Sequence, residues 1–490
     1  MYHPERVPQF VLPISFLPEA AAAMTQLGTA EHPLRVAIVG AGPAGFYVAE
    51  HFAKRAGLTV AIDMFERLPT PYGLVRFGVA PDHEKIKNVT RVYDRLAGGA
   101  HFRFFGNVDV GRDLTLSDLR RFYHQICYTT GAQTDRRMGI PGEDLARSHA
   151  ATEFVAWYNG HPEYRDCRFD LSVERVGVVG VGNVAVDVAR MLCRTPDELA
   201  ATDIADHALE ALRASRVREV YMLGRRGPAQ AAFTNPEVRE LGALPGADVV
   251  VRPDEAELDA LSRAALDKEP DASTEKKVEI LQEFARRQPS GKDKRLILRF
   301  LVSPVAIHDD GRGGVAGMRI VKNRLKAAEN GSLRPEATDV AEDLPVQLVF
   351  RSVGYRGVSL DGLPFDERRG TVPNEHGRVM DPATGRQVPG VYVSGWIKRG
   401  PSGVIGTNKP DAGETVAAMV EDLERGATLS PAAPEREAAE RFVCDHRPHC
   451  VTYADWKRLE ALEVGRGKPQ GRPRVKFTSV EEMMEALGRA

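Results

Sequence analysis

Two glycine-rich turns carry the chemistry that can be read from this sequence. RVAIVGAGPAGFYVAEHF holds Gly40, Gly42 and Gly45; RVGVVGVGNVAVDVARML holds Gly180, Gly182 and Ala185. Each follows an apolar run that predicts a buried strand, Val36–Val39 and Val176–Val179, and each leads into helical apolar spacing. In that setting G-x-G-x-x-G/A is a dinucleotide fingerprint. The first glycine makes a tight turn, the second admits backbone N–H groups to a pyrophosphate, and the third position lets helix pack on strand. The helix N-terminus adds positive dipole at the diphosphate. Two fingerprints predict two dinucleotides in one chain, and hence electron transfer between them.

The residues at the next strand tips separate the two sites. LTVAIDMFE ends at Glu66, an acid placed to accept hydrogen bonds from ribose hydroxyls and to repel a 2′-phosphate. The first site therefore suits FAD or NAD. REVYMLG ends instead in Arg225 and Arg226, whose forked guanidiniums match a 2′-phosphate. The second site therefore selects NADP. The longer spacing there is absorbed by a helical insertion, TPDELAATDIADHALEALRAS.

The elements that position these residues predict an α/β fold. Two Rossmann-like dinucleotide-binding domains are expected, the second inserted into the first, with antiparallel strand connections. The chain has 490 residues, too many for one core. Residues 1–34 read as an N-terminal extension, residues 35–138 and 353–490 as a discontinuous FAD-binding domain, and residues 139–352 as the NADP-binding domain. From about residue 430 onward the sequence is polar and helical. Within the second domain, residues 252–295 read as solvated helices, whereas RLILRFLVSPVAI and VAGMRIVKNRL alternate like antiparallel strands.

Composition narrows the function classes. Hydrophobic residues make up 43% and charged residues 27%, the proportions of an ordinary soluble protein. A net charge of −2 argues against nucleic acid as a principal partner. The five cysteines, Cys127, Cys167, Cys193, Cys444 and Cys450, include no C-x-x-C pair, so neither a disulfide redox motif nor an iron–sulfur cluster is readable. Cys444, His446, His449 and Cys450 crowd into CDHRPHC but lack a second ligand pair at zinc-finger spacing, so no metal is expected and the cluster reads as a polar turn. FVLPISFLPEAAAAM is broken by Pro13, Pro18 and Glu19 and makes a poor secretory or transit signal. Met24 is a candidate start. No integral membrane segment is expected.

PYGLVRFGVAPDH, FFGNVDVG, TTGAQTDRR-x-GIPGE, GNVAVDVAR, GRRGPAQAAFT and GWIKRGPSGVIGTNKPDA follow one another in this order. Together they resemble the adrenodoxin-reductase-type ferredoxin–NADP⁺ reductases, flavoproteins of the glutathione-reductase superfamily, over about residues 35–425. The resemblance implies FAD in the first site, with Gly40, Gly42, Ala44 and Gly45 on the diphosphate and Glu66 on the ribose. It also implies main-chain contacts from Leu74 and Val110, and Trp396, Gly403, Val404 and Ile405 beside the flavin and ribityl chain. NADP would lie on Gly182, Asn183, Val184 and Ala185, with its 2′-phosphate on Arg225 and Arg226. Arg136, Glu237 and Gly403 match further NADP-contact positions. His83 and Glu240 match two residues linked in the family to flavin reactivity and proton handling. From the residues alone, His83 also reads as a loop cap, Trp396 as a core aromatic, and Asp187 as a first-turn acid.

The implied activity is electron transfer from NADPH through FAD to a ferredoxin-type one-electron carrier, or the reverse. Ferredoxins are acidic, so a locally basic docking face is expected, with Arg213, Arg216 and Arg218, or the segment Arg466 to Lys476, as candidates. An NADPH-dependent flavin monooxygenase and a non-catalytic redox sensor remain alternatives, and a disulfide reductase lacks its cysteine pair. The expected location is the cytoplasm, or alternatively the mitochondrial matrix.

Overall fold

The computed structural model describes residues 27–489; the extension before residue 27 and the candidate start at Met24 lie outside the described residues. Two sheets organise the chain, one with an antiparallel edge and one wholly parallel. The first is built from β1 (Leu34–Val39), β2 (Val60–Glu66), β3 (Phe102–Gly106) and β4 (Gln125–Tyr128). It is completed by β16 (Asn374–Glu375), β17 (Arg378–Asp381) and β18 (Arg386–Val393), in the order β16-β17-β18-β4-β1-β2-β3. All six residues of β1 are buried, which is why it reads as an unbroken apolar run.

The second sheet holds β6 (Ser148–Ala150), β7 (Arg175–Val179), β8 (Glu219–Leu223), β9 (Ala247–Val251), β10 (Lys294–Arg299) and β14 (Leu348–Arg351). Its order is β6-β14-β7-β8-β10-β9 and every pairing is parallel. Between β10 and β14 the chain makes an antiparallel excursion of β11 (Val302–Asp309), β12 (Val315–Ala327) and β13 (Leu333–Leu344). Here the structure corrects one expectation. RLILR is not antiparallel; it is β10, lying parallel between β8 and β9, and the antiparallel pattern begins only at Val302. Apolar alternation over six residues does not distinguish the two pairings.

The chain passes from the first sheet to the second and back along one ribbon, β5 (Thr134–Asp135) against β15 (Tyr355–Arg356). The insertion thus leaves and re-enters at adjacent points. The expected helical insertion is present as Pro196–Ala200 and Asp206–Arg213.

The C-terminal helices Arg436–His446, Tyr453–Gly467 and Val480–Ala486 close over the first sheet. Trp456 is fully buried in a core with Phe46, Tyr72 and Met483. The segment before the last helix then bridges to the second unit. Nζ of Lys476 donates to the carbonyl of Arg76 at 3.3 Å and to that of Asn159 at 3.1 Å. Arg472 is buried against Asp206 and the carbonyl of Ile204, and Arg474 pairs with Glu460 and Glu463. These basic residues are spent on internal contacts, so that part of the expected docking segment is corrected. Arg213, Arg216 and Arg218 are exposed.

Candidate functional site

Both fingerprints form the same turn. Gly40 ends β1 at φ +105°, and a Cβ there would meet the Thr129 carbonyl at 2.8 Å. Gly180 ends β7 at φ +139°, and a Cβ would meet the Ser352 carbonyl at 2.2 Å. In each case the strand beside the turn closes over it, and only glycine fits. At the third position a Cβ on Gly45 would sit 2.3 Å from the Gly40 carbonyl, whereas Ala185 packs its methyl fully buried.

The second glycine behaves differently. A Cβ on Gly42 or Gly182 would meet nothing within 4 Å, and both residues are extended, at φ −84° and φ −103°. Internal packing therefore does not require glycine at either position. What requires it is close approach of a group from outside the chain. Each begins a helix, Pro43–Ala53 or Asn183–Cys193, with no side-chain cap and no acid in its first turn. The N–H groups of both helix starts are left for an anion. These cradles fit two dinucleotide diphosphates.

Glu66 sits where β2 ends. Its Oε2 accepts from the backbone N–H of Ala41 at 3.0 Å and its Oε1 from that of Leu68 at 3.2 Å. Burial pushes this carboxyl above its ordinary range, while the Ala41 and Leu68 N–H groups pull the other way. Each carboxylate oxygen retains a further lone pair, which suits ribose hydroxyls. Thr129 locks the same turn, its hydroxyl donating to the carbonyls of Gly40 and Val39 at 2.8 and 3.1 Å. Leu74 opens a short helix in the neighbouring loop and is exposed, while the side chain of Val110 is buried in the core.

The second cradle opens into a cleft of about 900 Å³. Arg136, Gly182, Asn183, Val184, Arg225, Arg226, Trp396, Gly403 and Val404, read apart in the sequence, all line it. Among the described residues neither Arg225 nor Arg226 has an ion-pair partner, although both lie at the tip of β8. Burial and the adjacent Arg225 charge push the Arg226 guanidinium below its ordinary range. An unpaired cationic fork is a phosphate site in charge and shape. In the wall of the same cleft Trp396 faces Tyr355 with ring centroids 5.3 Å apart, and its Nε1–H donates to the Ser402 carbonyl at 3.3 Å. Trp396 is half-buried, in the cleft wall and not in a core. Ile405 lies one residue further along, in a short turn before the helix Asn408–Glu424.

His83, Glu237 and Glu240 do not line this cleft. They gather around Arg190, which is fully buried. The His83 Nε2 lies 2.7 Å from Oε2 of Glu240, and its Nδ1 lies 3.9 Å from Glu237. Arg190 donates to Asp82 at 2.7 and 3.0 Å, to Asp187 at 2.7 Å and to Glu237 at 3.4 Å. Burial would raise the Asp82 carboxyl, but Arg190 outweighs it and holds Asp82 down at about 2. Asp187 and Glu237 are pushed up, mainly by burial. His83 is held in place by the charged network and does not cap its loop: the short helix it precedes takes no side-chain bond from it. Asp187 is likewise no first-turn acid; it pairs with Arg190 three residues on. The Arg190 hub was legible as an i,i+3 pair on one helix face, yet its partners Asp82 and Glu237 are far away in sequence.

The fold and the site define a two-dinucleotide flavoprotein oxidoreductase. Residues 34–224 match the family model for pyridine nucleotide-disulphide oxidoreductases. The NADPH-ferredoxin reductase FprA of Mycobacterium tuberculosis is 46% identical over 466 residues, 92% of this chain and 98% of that protein. The mitochondrial NADPH:adrenodoxin oxidoreductase of Homo sapiens is 40% identical over 94% of this chain and 93% of its own length. The structure of M. tuberculosis FprA in complex with NADPH superposes with a TM-score of 0.88 at 44% identity, covering 93% of this chain and all of that one. The chain belongs to the adrenodoxin-reductase-type ferredoxin–NADP⁺ reductases.

Proposed function

We propose that this protein passes electrons from NADPH through FAD to a ferredoxin-type iron–sulfur protein, or in the reverse direction. The observation that carries this reading is that Arg225 and Arg226 share one cleft with Trp396 and Gly403. A dinucleotide anchored on the arginines would run past Gly182 and Asn183 toward Trp396, beside the part of the chain that carries the first cradle. When bound, FAD supplies two-electron exchange with NADPH and one-electron exchange with the iron–sulfur partner.

The protein contributes binding, orientation and charge. Gly40, Gly42, Ala44 and Gly45 hold the FAD diphosphate, Glu66 its ribose, and Leu74, Val110, Val404 and Ile405 flank the rest. Arg225 and Arg226 hold the 2′-phosphate, and Arg136 and Gly403 close the NADP cleft. Trp396 and Tyr355, in ring contact on the cleft wall, would shield bound cofactor from water. His83, in its bond to Glu240, is the group placed to hold or move a proton, while Glu237 supports NADP binding through its contacts in the same cluster. Residues 35–138 with 353–490 form the FAD-binding part and residues 139–352 the NADP-binding part. Among the described residues no helix is long and apolar enough to cross a membrane. A cytoplasmic location fits the bacterial relatives.

The test follows flavin absorbance of the purified protein under anaerobic conditions. Bleaching by NADPH, poor response to NADH, and ferredoxin-dependent reduction of cytochrome c support the reading. Bleaching without transfer to ferredoxin points to a monooxygenase or a redox sensor.

A further inference from the structure

CDHRPHC, which plays no part in either cofactor site, folds into a thiol pair. Cys444 lies in the last turn of the helix Arg436–His446, and Cys450 lies just before Val451, which bonds to Gly106 at the end of β3. Their sulfurs are 3.7 Å apart, in hydrogen-bond contact. Among the described residues no other two cysteine sulfurs are so paired. Cys444 is exposed and Cys450 buried. His446 is turned to its own helix: its Nδ1 is bonded to the Phe442 carbonyl at 2.8 Å, and its ring lies tilted against Phe442 with centroids 4.0 Å apart.

Both sides of the pair are held in place. Arg447 donates to the Asn107 carbonyl at 3.0 Å and pairs with Asp113 at 3.2 Å, and Nδ2 of Asn107 donates to the His449 carbonyl at 3.1 Å. The backbone N–H of Cys450 returns to the Arg447 carbonyl at 2.9 Å. The turn presents one sulfur to solvent with the second directly behind it. That is the arrangement of an attacking and a resolving thiol.

We propose that Cys444 and Cys450 are a reversible thiol–disulfide site, oxidised by low-molecular-weight disulfides and closing into an intrachain bond. Cys444, as thiolate, attacks one sulfur of the small disulfide, whose S–S bond breaks and releases one small thiol. Cys450 gives up its proton, attacks the Cys444 sulfur and expels the second small thiol. The protein loses two electrons and two protons; the reagent becomes two thiols. Burial and the neighbouring Cys444 push the Cys450 thiol up to about 12, so Cys444 is the sulfur that starts the exchange. The adjacent Arg489, which donates to the Cys450 carbonyl at 2.6 Å, places positive charge where Cys450 must ionise. In a reducing compartment such a bond is a transient, redox-responsive one.

The flavin-loaded full-length protein is incubated with oxidised glutathione, alkylated, and examined by intact mass and peptide mapping. The expected product has lost two titratable thiols and two hydrogens, carries a Cys444–Cys450 cross-linked peptide, and reverts with dithiothreitol. Cys444→Ser abolishes the product, Cys167→Ser leaves it, and Cys450→Ala traps glutathione on Cys444. Stable glutathione on Cys444 of the unsubstituted protein, or two free thiols at excess oxidant, overturns the proposal.

Discussion

The His83 imidazole and the Glu240 carboxylate meet at 2.7 Å across the junction between the two sheet units, although neither lines the cofactor cleft. One comes from the loop after β2 and the other from the helix Asn235–Leu241 after β8. The pair therefore ties the seating of one unit to the other.

His83→Gln and Glu240→Gln are expected to slow flavin reduction by NADPH by about 10- to 100-fold while leaving NADP⁺ affinity nearly unchanged. Stopped-flow absorbance under anaerobic conditions gives both quantities. Rates equal to those of the unsubstituted protein remove the assignment.

Arg225→Ala combined with Arg226→Ala deletes the unpaired fork at the tip of β8. Each lost charge-assisted bond is worth about 1.5–3 kcal/mol, or about 10- to 100-fold, so losing both should raise KM for NADPH by about 100-fold or more. KM for NADH should move little, and the preference between the two should narrow. An unchanged ratio argues against 2′-phosphate binding here.

Arg190→Met takes the shared cation from Asp82, Asp187 and Glu237, leaving Asp82 only its bond to Arg194. Stripping one partner from a buried charge network costs about 3–5 kcal/mol. Thermal unfolding should show Tm falling by several degrees, with Arg190→Lys intermediate because a point charge cannot serve all three carboxylates.

Asp82 sets a pH dependence of known sign. Its native pKa of about 2 lies below the ordinary 3.8, so its contribution is complete above about pH 4 and is lost as pH falls toward 2. The shift corresponds to roughly 2 kcal/mol. Urea unfolding at a series of acidic pH values should show Asp82→Asn losing less stability over that interval than the unsubstituted protein. Parallel curves refute the coupling.

The fingerprint glycines separate binding from folding. Gly42→Ala should give a folded protein with little bound flavin, since its Cβ enters only the space a diphosphate needs. Gly180→Ala should fold poorly, because φ +139° and a Cβ 2.2 Å from the Ser352 carbonyl strain the turn itself. Circular dichroism with flavin quantitation distinguishes them; a folded, fully loaded Gly42→Ala protein removes the cradle argument.

The cofactor cleft was legible because its determinants are local. Gly182 and Arg225 each sit at the end of a strand whose apolar run announces it, and the turn chemistry follows from residue type. The direction of β10 is not legible in its own residues, because pairing direction depends on what lies beside a strand, and β9 contacts it from about forty residues earlier in the sequence. Lys476 looked like surface charge in a basic run. Its burial comes from Arg76 and Asn159, carbonyl partners that no spacing rule could supply. The Cys444–Cys450 contact is not legible from spacing, because the helix end and the Arg447 turn, and not a C-x-x-C motif, bring the sulfurs together.

The six-stranded sheet is drawn from one uninterrupted stretch of chain, whereas the seven-stranded sheet waits for β18 to pair with β4 from the far side of that stretch. On the ribosome, the six-stranded sheet has all its strands before the seven-stranded sheet can close. The first cradle must therefore emerge early and stay unfinished longest. β18 and the helices beyond it, made last, complete the older sheet.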